Sequence, residues 1–182
     1  MRSQAKDGTA LARTDYRNGE GVMTKRDLLA LMGFVVLCFA AAGFGALFTT
    51  PRTAPGEWYS QIQKPSWTPP AWLFGPVWTA LYLVMAVAAW WVWRQGGWTA
   101  QRGALTLFLV QLVLNAAWSG LFFGLRSPSL GMIGIAVLWI AILLTVLAFF
   151  RVAPLAGWLM VPYLLWVSYA SALNFTIWRL NG

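Results

Sequence analysis

Five stretches of this chain carry no charged side chain: residues 28–49, 72–93, 104–125, 130–150 and 155–178. At about 1.5 Å rise per residue each spans roughly 31–36 Å as a helix, enough to cross a hydrocarbon layer of about 30 Å with some tilt. Lipid offers no hydrogen bonds to a backbone, so runs of this kind must form helices. The joints at 95–103, 126–129 and 151–154 are short, which makes consecutive spans antiparallel neighbours. The predicted fold class is therefore an all-α membrane protein, a five-transmembrane-helix bundle over residues 27–180. Composition agrees, because a chain that is 59% hydrophobic and 10% charged, with 13 Trp in 182 residues, exceeds what a soluble core of this size can bury.

Residues 1–26 are polar and mixed in charge with almost no large apolar side chain, and they read as a disordered tail. The formal charge of +8 is concentrated where apolar runs end, which suits anionic headgroups in a lipid bilayer and argues against nucleic acid as a partner. Nine cations lie on the tail side (Arg2, Lys6, Arg13, Arg17, Lys25, Arg26, Arg94, Arg102, Arg151) and four opposite (Arg52, Lys64, Arg126, Arg179). That excess predicts a cytoplasmic N-terminus in a bacterial cell membrane. Cys38 is the single cysteine and excludes an intramolecular disulfide.

The chain has no His, and after Glu57 no Asp or Glu in the remaining 125 residues. Proton relays, carboxylate-coupled transport, His-based hydrolysis and His-ligated metal or haem sites all need side chains that these spans lack. No resident cofactor, no metal and no acid–base catalysis are expected within the membrane.

Aromatic rings and neutral amides are what remain. Trp90, Trp91, Trp93, Trp158 and Trp178 sit near span ends as an interfacial belt, whereas Trp78, Trp118, Trp139 and Trp166 lie deeper. Trp78, Tyr82, Met85 and Ala89 follow one another at helical spacing, as do Gln111, Asn115, Trp118 and Phe122. Helix packing with Gln111 and Asn115 as interhelical hydrogen-bond donors and acceptors would explain these stripes by itself. Depth suggests more. Counted from the span ends, Trp78, Trp118 and Ala170 all lie roughly 9–12 Å below the same membrane face, with Asn115 a turn deeper and Asn174 a turn shallower. Over that face runs the segment 51–71, with five prolines and Trp58, Tyr59 and Trp67, long enough to expect a role for it. Its rim of Arg52, Lys64, Arg126 and Arg179 is opposed only by Glu57. An aromatic pocket, a proline-stiffened cover and a cationic rim suit a large flat apolar ligand bearing carboxylates, such as a porphyrin.

The motifs Trp58-Tyr59, Lys64-Pro65-Ser66-Trp67-Thr68-Pro69-Pro70, Gly75-Pro76-Val77-Trp78 and Leu81-Tyr82 resemble the loop and second helix of the translocator protein family. That family includes the tryptophan-rich sensory proteins (TspO) and the peripheral-type benzodiazepine receptors. Gln111-Leu112, Asn115, Trp118, Phe122-Phe123, Pro162-Tyr163-Leu164-Leu165-Trp166, Ala170 and Leu173-Asn174 extend the likeness to about residues 27–180. The resemblance implies a bacterial member forming a five-helix homodimer that binds protoporphyrin-like tetrapyrroles, haem among them, for transport or sensing. By position it implies that Trp78, Tyr82, Asn115, Trp118, Trp166, Ala170, Leu173 and Asn174 line the ligand pocket, with Trp67 in the covering loop. It also carries two alternatives: light-dependent porphyrin degradation through Trp78 and Trp166, and a structural or regulatory partner protein of the membrane. The sterol-recognition stretch of animal members has Tyr where Phe175 stands here, which speaks against a sterol. Members of the family occupy outer membranes of bacteria and mitochondria, whereas the cation count here fits a plasma membrane. Small residues four apart, Ala41 with Gly45 and Gly120 with Gly124, are the candidate dimer contacts.

Overall fold

The computed structural model describes residues 23–181, and its five long helices are α1 (Lys25–Thr53), α2 (Ala71–Arg94), α3 (Arg102–Ser119, continued by a π-helical turn at Gly120–Gly124), α4 (Pro128–Val152) and α5 (Pro154–Asn181). All five are long and apolar enough to cross a membrane. Their outer faces carry the large apolar side chains that water would reject: Leu29, Val36, Leu47, Val113, Ile133 and Leu165 are each more than 60% exposed. This is an integral, multi-pass membrane protein.

Each helix extends beyond its charge-free run, and local chemistry explains where it stops. Residues 25 and 26, read above as the end of the tail, are instead the first turn of α1. Thr24 caps that turn: its hydroxyl accepts from the Asp27 N–H at 3.1 Å, and the Asp27 carboxylate accepts from the Thr24 N–H at 3.0 Å. The remainder of the tail lies outside the described residues. At the other end α1 runs through Pro51 to Thr53, so the connecting segment shrinks to residues 54–70 and contains one helical turn, Trp58–Gln61. Ser127 caps α4, with Pro128 at its first position, where a missing N–H costs nothing. Gly96 and Gly97 turn the chain between α2 and α3 at positive φ, a region where a Cβ would strain the backbone.

The helices close into a ring in which α1 lies between α2 and α3, α3 against α4, α4 against α5, and α5 against α2. Sequential neighbours thus pack as expected except for α2 and α3, which meet only slightly because α1 stands between them. The core of the tail-side half is apolar, with Phe108 stacked on Phe149 (6.0 Å) and edge-on to Phe34 (6.2 Å). Ala86, Ala88 and Ala89 let neighbouring helices come close to α2.

The small residues picked out as dimer contacts are used inside one chain. A Cβ at Gly45 would meet the Ser119 hydroxyl at 3.1 Å, one at Gly124 would meet the Phe48 ring at 3.0 Å, and Gly120 faces the same ring. Ala41 packs against the core. These positions seat α1 on α3. Trp139, deep in α4, is likewise structural, donating to the Ser168 hydroxyl at 2.7 Å and tying α4 to α5.

Candidate ligand-binding site

The nine residues expected to form one pocket are brought to the same end of the bundle but divide into three groups. The innermost is a buried relay. The Tyr82 hydroxyl donates to Asn115 Oδ1 at 2.7 Å, and Asn115 Nδ2 donates to the Tyr163 hydroxyl at 2.7 Å. It joins α2, α3 and α5 across the bundle interior, and all three side chains are at most 5% exposed. Trp78, half-buried one turn along α2, lies 5.5 Å from the Tyr82 ring and 6.2 Å from Tyr163. Tyr163 was quoted only as part of a motif; its place on the stripe Tyr163, Trp166, Ala170, Leu173 was the signal that would have marked it.

The second group is an aromatic cluster under the loop. Trp118 stacks on Phe122 (5.5 Å) and meets Phe123 edge-on, while Trp58 and Tyr59 of the loop pack against the same two rings. Leu173 and Ile177 of α5 complete it. The π-helical turn makes this possible: it adds a residue to the last turn of α3, so consecutive Phe122 and Phe123 can both be buried. Asn174 does joining work here, donating to the Pro128 carbonyl at 2.8 Å and accepting a long bond from Trp118 Nε1 at 3.4 Å.

The third group lies where α2 meets α5. Trp166 sits between Phe74 (6.0 Å) and Tyr169 (5.8 Å), and its buried indole N–H has no partner among the described residues. Ala170 follows one turn on, part-buried against the core. Trp67 reaches this group from the loop: its carbonyl accepts from the Tyr169 hydroxyl at 2.8 Å and its ring lies 5.6 Å from Tyr169, leaving the indole half exposed.

The loop is fastened near its middle. Asn181 at the end of α5 pairs with the Gln63 backbone in both directions, accepting from its N–H and donating to its carbonyl, each at 2.9 Å. Lys64 turns back into the loop, donating to the Tyr59 and Ile62 carbonyls at 2.6 and 3.0 Å, with its ammonium 4.9 Å from the Tyr59 ring. Desolvation there lowers the Lys64 pKa, and burial, assisted by Tyr169, pushes the Tyr59 phenol up to about 12. Lys64 is therefore a loop clasp rather than a rim charge, because carbonyls surround it. Arg52, Arg126 and Arg179 remain at this end.

Gln111 also departs from expectation. It is fully buried, yet neither its amide nitrogen nor its oxygen has a hydrogen-bond partner among the described residues. It is therefore not the interhelical glue that its position suggested.

A groove of about 440 Å³ lies elsewhere, along α1 at the tail end, where Arg26 and Trp93 head an apolar trough.

Fold and site together define a five-span helical membrane protein whose loop-covered end is built from aromatic rings and neutral hydrogen-bonding groups. Within that class the chain belongs to the TspO/MBR family, whose model matches residues 34–179. The tryptophan-rich protein TspO of Chlorobaculum tepidum is 47% identical over 159 residues, covering 86% of this chain and 98% of that one. The protein of the same name from Archaeoglobus fulgidus is 42% identical over 147 residues (81% and 94%), and the human translocator protein 40% over 139 residues (74% and 82%).

Proposed function

We propose that this chain is a membrane receptor or translocator that binds a porphyrin or similar flat tetrapyrrole at its loop-covered end. The observation that carries this reading is the Tyr82–Asn115–Tyr163 relay with Trp78 tilted against Tyr82. It sets neutral, fixed polar groups among aromatic rings, a lining suited to a wide apolar ring. Arg52, Arg126 and Arg179 above it answer a ligand's carboxylates, and Glu57 is the only opposing charge among the described residues at that end. Relatives named translocator protein and tryptophan-rich sensory protein bring transport and sensing to the same reading.

Protoporphyrin IX titrated into the detergent-purified protein should quench tryptophan fluorescence saturably. Trp78→Phe, Asn115→Leu and Ala170→Phe should each weaken the apparent affinity about tenfold or more, equivalent to about 1.4 kcal/mol. Quenching that does not saturate, or that is the same in all three variants, would overturn the proposal.

A further inference from the structure

At the tail end, far from the covered site, α1 and α2 leave a trough that none of their own side chains fills. Arg26 heads it, with its guanidinium 5.2 Å from the Trp93 ring, and the trough follows α1 from Arg26 to Leu37. Those 11 residues of rise amount to about 16 Å, close to half of a hydrocarbon layer of about 30 Å. The trough therefore runs from the headgroup level to about the bilayer midplane, the depth of one leaflet. Gly33 forms its floor, and a Cβ built there would meet nothing within 4 Å. Leu29 and Leu37 flank it as exposed apolar walls.

Charge defines the head of the trough. Asp27 is engaged by Arg94 at 3.8 Å, the only ion pair among the described residues, so Arg26 forms none with them. Lys25 lies beside it, exposed. A trough one leaflet deep, apolar along its length, with a guanidinium and an interfacial indole at its mouth, matches one kind of molecule. We propose that it holds a single phospholipid of anionic headgroup, with the phosphate on Arg26 and one acyl chain lying over Gly33. A planar guanidinium accepts a phosphate as a two-pronged hydrogen-bond partner, and the net positive charge of the Lys25, Arg26, Arg94 and Asp27 cluster favours an anionic over a zwitterionic lipid.

Native mass spectrometry of the detergent-purified full chain, titrated with palmitoyl-oleoyl phosphatidylglycerol or the matching phosphatidylcholine, tests this. One phosphatidylglycerol should be retained per chain, about fivefold more tightly than phosphatidylcholine. Arg26→Gln should erase that preference. Gly33→Leu should abolish retention while leaving the melting temperature and protoporphyrin quenching as in the parent, since the added side chain enters open space. Ala30→Phe fills the same trough from the adjacent position and guards against a folding defect peculiar to Gly33→Leu. Equal retention of both lipids by the parent protein overturns the proposal. So does undiminished phosphatidylglycerol retention in both trough-filling variants, or a change in oligomeric state on filling the trough with lipid retention unaltered, which would mark it as a contact between copies.

Discussion

At the tail end of the bundle Trp90 donates to the Asp27 carbonyl at 2.8 Å and lies beneath the Arg94 guanidinium, which pairs with Asp27. At the loop end Trp118 and Trp78 lie among Phe and Tyr rings, and the joining hydrogen bonds are made by Asn115, Asn174 and Asn181. Both ends are rich in tryptophan. One is fastened by an ion pair at the bundle end, whereas the helices of the other are joined to each other by uncharged amides and hydroxyls. Ionic joints weaken with salt, whereas buried neutral ones are indifferent to it but costly to leave half-made.

The sharpest way to break this contrast is Asn115→Leu, which strips partners from two buried hydroxyls at once. With about 1–3 kcal/mol for each unsatisfied group, the thermal stability in detergent should fall by roughly 2–6 kcal/mol. The loss should be the same at low and high salt. A salt-dependent loss, or none, would mean that the relay does not hold the interior together.

A smaller effect is expected at the other end. Asp27→Asn keeps a side chain able to cap α1 but removes the charge that faces Arg94. The melting temperature should drop by a few degrees at low ionic strength, and the difference from the parent should close near 1 M salt, where the screening length is about 3 Å. A difference that persists there would show that geometry, not charge, makes that joint.

The smallest effect is confined to alkaline pH. The Tyr59 pKa is raised by burial from 10.0 to about 12, so its neutral form is favoured in the docked loop. Its contribution is fully present below pH 10 and is lost as pH rises from about 10 towards 12. Protection of residues 54–70 from hydrogen exchange, taken relative to the intrinsic base-catalysed rate, should fall across that window in the parent and not in Tyr59→Phe. An equal loss of protection in both would place the sensitivity elsewhere.

The spans were legible because absence of charge over 21 or more residues has one solution in lipid. Their ends were not, since Thr24 and Asp27 cap α1 before its charge-free run begins, and Pro51 fits inside its last turns. Counting from the span ends placed Trp78, Trp118 and Ala170 at one depth, with Asn115 a turn deeper. It could not show that Asn115 joins residues 33 positions before and 48 after it, nor that Gln111 has no partner among the described residues. Lys64 was counted as a rim charge on sequence position alone, but a lysine in a tight turn surrounded by free carbonyls folds back onto them. That α1 stands between α2 and α3 is likewise something no pattern along the chain encodes.

The clasp between Gln63 and Asn181 joins positions 118 residues apart. During synthesis at about 5–20 residues per second, the loop must therefore wait on the order of ten seconds after it emerges before its fastening exists. The first two helices can be inserted and paired long before the aromatic end is covered.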